Sequence, residues 1–179
     1  MTASIRHATD ADIGMLQGIE TAADAMLIDL FAPDEWVGAM SGEARAATPG
    51  FIIVVAEEAG GPAVGFAQVV EQDGLAHLEQ IAVLPSSGRR GLGRSLVEAA
   101  KSEAAARGHS SMTLRTYADV PFNAHFYRTC GFVETDIDSA LNTGLLKAEI
   151  DAGLLRYGRR IQMTAPLGGV GRDRVVAPL

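Results

Sequence analysis

Cysteine is nearly absent from this chain: Cys130 stands alone. One thiol excludes an internal disulfide and a cysteine cluster for a metal, so no metal is expected, and a reducing, cytoplasmic location is. No run of about 18 apolar residues occurs, and the opening MTASIRHATDAD lacks an apolar stretch, so neither a membrane span nor a signal peptide is expected. Basic residues are also scarce: 15 Lys and Arg against 22 Asp and Glu leave a formal net charge of −7. Without a basic face to neutralise many phosphates, nucleic acid is excluded as a general partner, while the acidic balance weakly suits a cationic substrate. No internal repeat is present.

What remains is ample for one core. The 179 residues are 47% hydrophobic, which fits a single globular domain, expected over residues 1–165 with a loose tail at 166–179. Ser4–His7 reads as a short strand, and Thr9 or Asp10 can cap a helix carrying Ile13, Leu16, Ile19 and Ala23 on one face. Asp24–Phe31 fits either helix continuation or a loop, and Pro33-Asp34-Glu35-Trp36 predicts a second helix ending near Thr48-Pro49-Gly50. Phe51–Glu57 and Ala63–Glu71 predict a hairpin around Gly60-Gly61-Pro62, and Asp73-Gly74 turns into a strand over Leu75–Leu84. A helix over Gly91–Arg107 follows, then a strand over Ser111–Tyr117, which together imply a parallel pair with a right-handed crossover. Pro121–Thr129 predicts a short helix, Phe132–Thr135 a strand start and Arg159–Met163 a last strand; Leu141–Leu155 carries no clear punctuation.

The most informative stretch is Leu78–Lys101, a strand that runs through a glycine-rich turn into a helix. The first N–H groups of a helix lack intrahelical acceptors and carry the positive end of its dipole, so such a junction is an anion site. Gly88, Gly91 and Gly93 let the backbone approach a phosphate, and Arg89, Arg90 and Arg94 add positive charge. Two familiar phosphate motifs fail here. No Lys-Ser/Thr follows the loop, and the third glycine of the dinucleotide fingerprint would fall at Leu96.

A second segment, VPFNAHFYRTCGF at Val120–Phe132, follows the next strand, and with it the chain resembles the GNAT superfamily of acyl-CoA-dependent N-acetyltransferases. Val83-Leu84-Pro85 before Gly91-Leu92-Gly93 matches the family's V-x-P and Q/R-x-x-G-x-G/A elements, with Gly88 in place of the Gln or Arg. Asn123, Tyr127, Gly131 and Phe132 represent the family's N…Y-x-x-x-G-F segment, with a shorter Asn-to-Tyr spacing than in many members. The resemblance covers residues 4–136 and implies one α/β (α+β) domain. Its sheet is mixed, mostly antiparallel and twisted, flanked by helices, with a splayed parallel pair at its centre.

It also implies a site. Acetyl-CoA would be the cosubstrate, its pyrophosphate held by Gly88, Arg89, Arg90, Gly91, Leu92, Gly93 and Arg94, with the Gly88 N–H among the donors. Pantetheine would run along Gln80–Leu84, with Ile81, Ala82 and Val83 as its contacts, and free backbone groups of this edge would hold the thioester carbonyl as negative charge develops. Asn123 would contact the cosubstrate and Tyr127 would protonate the leaving thiolate, a phenol near ~10 facing a thiol of roughly 8–9. An amine of pKa ~10.4 is about one part in 10³ neutral at pH 7, so a base is needed; Glu79, His77 and His125 are the candidates, directly or through water, and Glu79 leads. His77 and Glu79 share one face if the strand alternates regularly. Phe126, Phe132 and Cys130 read as core, and Phe31 and Trp36 as either acceptor-pocket wall or helix packing. The expected reaction is direct acetyl transfer to a primary amine, of a small molecule or of a protein N-terminus, with a homodimer left open. The alternatives are a catalytically degenerate acyl-CoA-binding regulatory module and a plain interaction domain.

Overall fold

A computed structural model describes residues 3–168. In chain order the strands are β1 (Ser4–His7), β2 (Gly50–Ala56), β3 (Ala63–Gln72), β4 (Leu75–Val83), β5 (Ser111–Tyr117), β6 (Val133–Thr135) and β7 (Arg160–Pro166). They form one sheet ordered β1-β2-β3-β4-β5-β7-β6, in which only β4 and β5 pair in parallel. The helices are α1 (Asp10–Phe31), α2 (Gly42–Ala46), α3 (Leu92–Ala106), α4 (Ala124–Thr129) and α5 (Ala140–Asp151). The single domain and mixed sheet expected from the sequence are thus present, with α3 as the crossover between the parallel strands.

Strand alternation divides the core in two. From β2, Phe51, Ile53 and Val55 join Leu96 and Val97 of α3, Ala124 of α4 and Phe132. Val54 points the other way, into a smaller cluster with Leu16 and Ile19 of α1, Phe66 and Ala82. Cys130 and Phe132 are buried, and Phe126 packs against the larger cluster.

α1 begins as its sequence dictates. Thr9 donates its N–H and hydroxyl to the Asp12 carboxylate at 2.8 and 2.7 Å, and Arg6 grips the same carboxylate with two bonds of 2.6 and 2.9 Å. The Arg6 hydrogen bonds hold the Asp12 carboxyl well below the usual carboxylate range. Asp12→Ala is therefore expected to cost about 1–2 kcal/mol at pH 7. Because the folded-state value is depressed, this stabilisation is present above the ordinary Asp value of ~3.9 and fades as the pH falls below it. Urea unfolding of both proteins at pH 7 and pH 3 checks this through a gap that narrows in acid.

The helix predicted from Pro33 does not form, and Asp24–Phe31 instead continues α1. Ala32, at φ 42°, closes α1 with its N–H on the Ile28 carbonyl at 2.8 Å. Pro33 follows this cap, a position as natural for proline as the first helical turn. Residues 34–41 run without regular structure, and α2 is a single turn. Gly42 permits its close approach to α1, because a Cβ there would lie 1.8 Å from the Ile13 carbonyl oxygen. α2 thereby brings Arg45 into a buried ion pair with Glu20, and Arg45 also donates to Gln68 Oε1.

One further boundary differs from the sequence expectation, and one stretch it left unassigned is resolved. α4 starts at Ala124 rather than Pro121, with Asn123 as its N-cap residue. Leu141–Leu155 is largely α5, capped by Ser139 Oγ accepting from the Asn142 N–H at 3.1 Å. Of the tail at 166–179, Pro166 ends β7 and the Leu167 N–H donates to the Ser110 carbonyl at 2.8 Å; residues 169–179 lie outside the described part.

Candidate active site

The site begins with a register break in β4. β3 pairs Gln68 with Gln80 and then Val69 with Leu78, so Glu79 is an extra residue, a β-bulge. The bulge reverses the alternation. Ala76 and Leu78 face the larger core, whereas beyond Glu79 it is Ile81 and Val83 that pack there and Ala82 that joins the α1 side. The regular alternation expected for Leu75–Leu84 is thus broken, because one additional residue shifts a period-2 pattern by one face.

The same bend ends the parallel pairing. β4 and β5 are in register only at Ala76–Met112, His77–Thr113 and Leu78–Leu114, and beyond Leu78 the strands part. In the antiparallel ladder with β3, the Leu84 N–H donates to the Val64 carbonyl at 2.8 Å, which makes Ala82 and Phe66 a bonded pair and turns the N–H and C=O groups of Ile81 and Val83 toward the gap. Of the three predicted pantetheine contacts, Ile81 and Val83 therefore have backbone groups on the open edge, and those of Ala82 belong to the ladder with β3.

A cavity of about 390 Å³ opens over this gap on the α1 and α5 side. Glu79, His77, Gln80 and Tyr127 all line it, although Tyr127 comes from α4 on the opposite face of the sheet and reaches it through the gap. Burial raises the Tyr127 phenol above its ordinary value, so it keeps its proton at neutral pH. Its ring stands edge-on to Phe126 and Phe132 at 5.2 and 5.9 Å. α4 is only one and a half turns long and is held from α3: Arg94 donates to the Thr129 carbonyl and hydroxyl, both at 2.7 Å, and Lys101 to the Cys130 carbonyl at 2.9 Å. Burial raises the Cys130 thiol, which leaves it protonated and inert.

The base candidates separate clearly. His77 is buried and pushed down to about 4, first by burial and then by the Arg115 charge. Its Nδ1 lies 2.8 Å from Thr113 Oγ1, whose hydroxyl donates to Asn142 Oδ1 at 3.4 Å, so His77 donates from Nδ1 and turns its Nε2 lone pair to Glu79 Oε2 at 3.8 Å. Glu79 has a third of its side chain open to the cavity, and burial raises its carboxyl. His125 is exposed and does not line the cavity.

Charge in the cavity is unevenly paired. Arg115 and Arg160 both bind Glu149 of α5; burial alone would raise the Glu149 carboxyl, but hydrogen bonds from Arg160 and Arg115 outweigh it and hold the group low. Arg45 is taken up by Glu20. Asp24 accepts the Trp36 Nε1–H at 3.0 Å, and burial raises its carboxyl. Among the described residues neither Asp24 nor Glu79 pairs with a lysine or arginine. Trp36 forms cavity wall with Leu27, Val37 and Met40, whereas Phe31 packs against Trp36, Tyr117 and Tyr157 and borders a second cavity of about 270 Å³.

Below the gap lies the glycine turn. Pro85–Ser87 form a 3-10 turn whose closing bond runs from the Gly88 N–H to the Pro85 carbonyl at 3.1 Å, so this predicted phosphate donor already has an acceptor. Among the described residues the N–H groups of Arg89, Arg90, Gly91, Leu92, Gly93 and Arg94 have no backbone acceptor; the first bond of α3 runs from the Ser95 N–H to the Gly91 carbonyl at 3.0 Å. Gly91 has φ 81°, and a Cβ there would meet no atom within 4 Å, so the ground before the helix is open. Of the arginines, Arg90 pairs with Glu57, which also accepts from Ser87 Oγ at 2.8 Å, and Arg94 serves Thr129. Arg89 is exposed. Asn123 is half-buried, and its carbonyl accepts the Tyr127 N–H at 3.1 Å.

A mixed sheet split at one parallel pair, with a glycine turn and open helix start beneath the split, defines a class of fold shared by many acetyltransferases. The acetyltransferase (GNAT) family model matches residues 20–132, and the chain belongs to that family. Solved structures agree on the fold. The ribosomal-protein-S18-alanine N-acetyltransferase of Escherichia coli is 22% identical, with a TM-score of 0.66 over 97% of this chain and 99% of that one. The PaiA N-acetyltransferase of Thermoplasma acidophilum, solved with coenzyme A, is 14% identical, with a TM-score of 0.67 over 93% of this chain and 99% of that one. N-acetylglutamate synthase of Neisseria gonorrhoeae, complexed with coenzyme A and N-acetyl-glutamate, is 13% identical, with a TM-score of 0.65 over 94% of this chain and 36% of that one.

Residues to which the sequence assigned no role include Asp24, Arg115, Glu149 and Arg160; for Gln80 it assigned a role to the backbone and none to the side chain. Their roles arise from packing between α1, α5 and the sheet, and no local pattern marks them.

Proposed function

We propose that this protein is an acetyl-CoA-dependent N-acetyltransferase that carries out direct transfer to a primary amine within a ternary complex. The supporting observation is the splay of β4 from β5 beyond Leu78, which leaves Ile81 and Val83 without a strand partner on that edge, in the strand that leads into the open start of α3. The unpartnered N–H groups from Arg89 to Arg94 and the empty ground before Gly91 suit a pyrophosphate. Arg89 adds long-range attraction, screened at the surface. Ile81 and Val83 would hold the pantetheine arm as an added strand, with the Ile81 N–H directed at the thioester carbonyl. Bound acetyl-CoA supplies the activated acetyl group.

Tyr127 would donate a hydrogen bond to the leaving sulfur. Since burial raises the phenol above ~10, outright proton transfer to a thiolate of about 8.5 runs uphill, so Tyr127 acts by stabilising the thiolate rather than by surrendering its proton. Glu79 would accept the amine proton from its place on the cavity wall. Asp24 and Glu79, which have no arginine partner among the described residues, favour a cationic acceptor over an anionic one. Small-molecule amines and protein N-termini both meet this requirement.

The test is thiol release from acetyl-CoA across a panel of polyamines, amino acids, aminoglycosides and short peptides with free N-termini. Release with at least one amine, and little without, is the expected result. A melting temperature raised by acetyl-CoA with no release for any amine would instead identify a binding module without turnover.

A further inference from the structure

The open edge of β4 is not bare. The Ile81 N–H, turned into the gap, donates to the side-chain oxygen of its own neighbour, Gln80 Oε1, at 3.0 Å. Gln80 is held in that pose: its Nε2 donates to Glu20 Oε1 at 2.6 Å. The other Glu20 oxygen binds Arg45, and Arg45 donates to Gln68 Oε1, the residue opposite Gln80 in the ladder. Glu20, Arg45 and Gln68 are buried. The bulge at Glu79 makes the arrangement possible, because it turns Gln80 toward α1 when unbroken alternation would have sent it to the α3 side.

We infer that Gln80 is a latch on the Ile81 N–H, a positioning residue that makes this edge distinguish the acylated donor from free coenzyme A. In the free protein its carboxamide oxygen satisfies the one donor aimed at the thioester carbonyl site. For the Ile81 N–H to donate to that carbonyl, Gln80 must give way, and its oxygen then turns into the cavity lined by Glu79. Free coenzyme A, with no carbonyl at that point, leaves the latch closed. The pull of the Glu20–Arg45 pair on Nε2 thus sets how strongly the carbonyl must compete.

This inference rests on the acetyl-CoA assignment above, and the test separates the two. Affinities for acetyl-CoA and for coenzyme A are measured by calorimetry on the wild type, on Gln80→Met, which keeps the length but loses the acceptor, and on Gln80→Ala. Opening the latch removes one competing hydrogen bond, so the preference for acetyl-CoA over coenzyme A is expected to rise about fivefold in both variants. A purely structural Gln80 would shift both affinities together, and an unchanged ratio overturns the inference. Binding of neither ligand by the wild type overturns the acetyl-CoA assignment and the latch with it. Amide hydrogen exchange supplies an independent measurement: Ile81 is expected to be protected in the free wild type, to exchange faster in free Gln80→Met, and to regain protection when that variant binds acetyl-CoA. Equal protection of Ile81 in both free proteins counts against the latch.

Discussion

Tyr127→Phe is expected to lower kcat by about 10²-fold while acetyl-CoA affinity changes little, the scale of losing one donor aimed at developing negative charge. The reason is positional. Tyr127 reaches the cavity through the gap in the sheet, its ring fixed by Phe126 and Phe132, and removal of one oxygen leaves that packing in place. The raised phenol also makes a prediction about pH: no limb of the rate profile below pH 9 belongs to Tyr127, because burial keeps the proton on the oxygen. Steady-state kinetics with calorimetric binding of acetyl-CoA checks both statements. Wild-type turnover in the phenylalanine variant would assign Tyr127 to the core alone.

Glu79→Gln carries the second large effect. If Glu79 takes the amine proton, kcat/KM at pH 7 falls about 10²-fold, within the range for a positioned base. The loss diminishes at alkaline pH, where the amine deprotonates unaided. Burial raises the Glu79 carboxyl, so its basic form appears only above that raised value, and this produces the rising acid-side limb of the wild-type profile. His77, pushed down to about 4, is neutral throughout and cannot produce the same limb near neutrality. The stability effect has the opposite sign. A carboxyl whose folded-state value is raised loses stability as the pH climbs from its unfolded value of ~4.3 through the folded one, so Glu79→Gln gains stability relative to wild type above that window and not below it. Slower turnover in a protein that melts no earlier at pH 7 would separate lost chemistry from lost folding. An unaltered acid limb would remove Glu79 from the reaction.

The strands of the sheet and the helix after the glycine turn were legible in the sequence because their signals are local: a run of Ile and Val in Phe51–Val55, turn residues at Gly60-Gly61-Pro62 and Asp73-Gly74, and Gly88 and Gly91 before Leu92 and Leu96. The helix expected from Pro33 failed for an equally local reason, since proline marks the residue after a helix as readily as its first turn. α5 left little trace because its buried side includes the polar Asn142 and Glu149, so apolar periodicity is weak. Glu149 is tolerated inside because Arg115 and Arg160, from two strands, meet it there.

The chain by itself determined the order of its elements, the glycine turn that leaves the N–H groups of α3 unpartnered, and membership of Tyr127 in a segment that follows the second parallel strand. Those depend on backbone preferences and on spacing along the chain. The tertiary structure decided the rest. Only strand pairing could reveal that Glu79 is a bulge, and this one extra residue turns Gln80 to α1 and sets Ile81 and Val83 on the larger core with their backbone groups in the gap. Which acids remain unpaired in the cavity was decided the same way, because an ion pair depends on where two distant segments meet, and no single segment encodes that meeting.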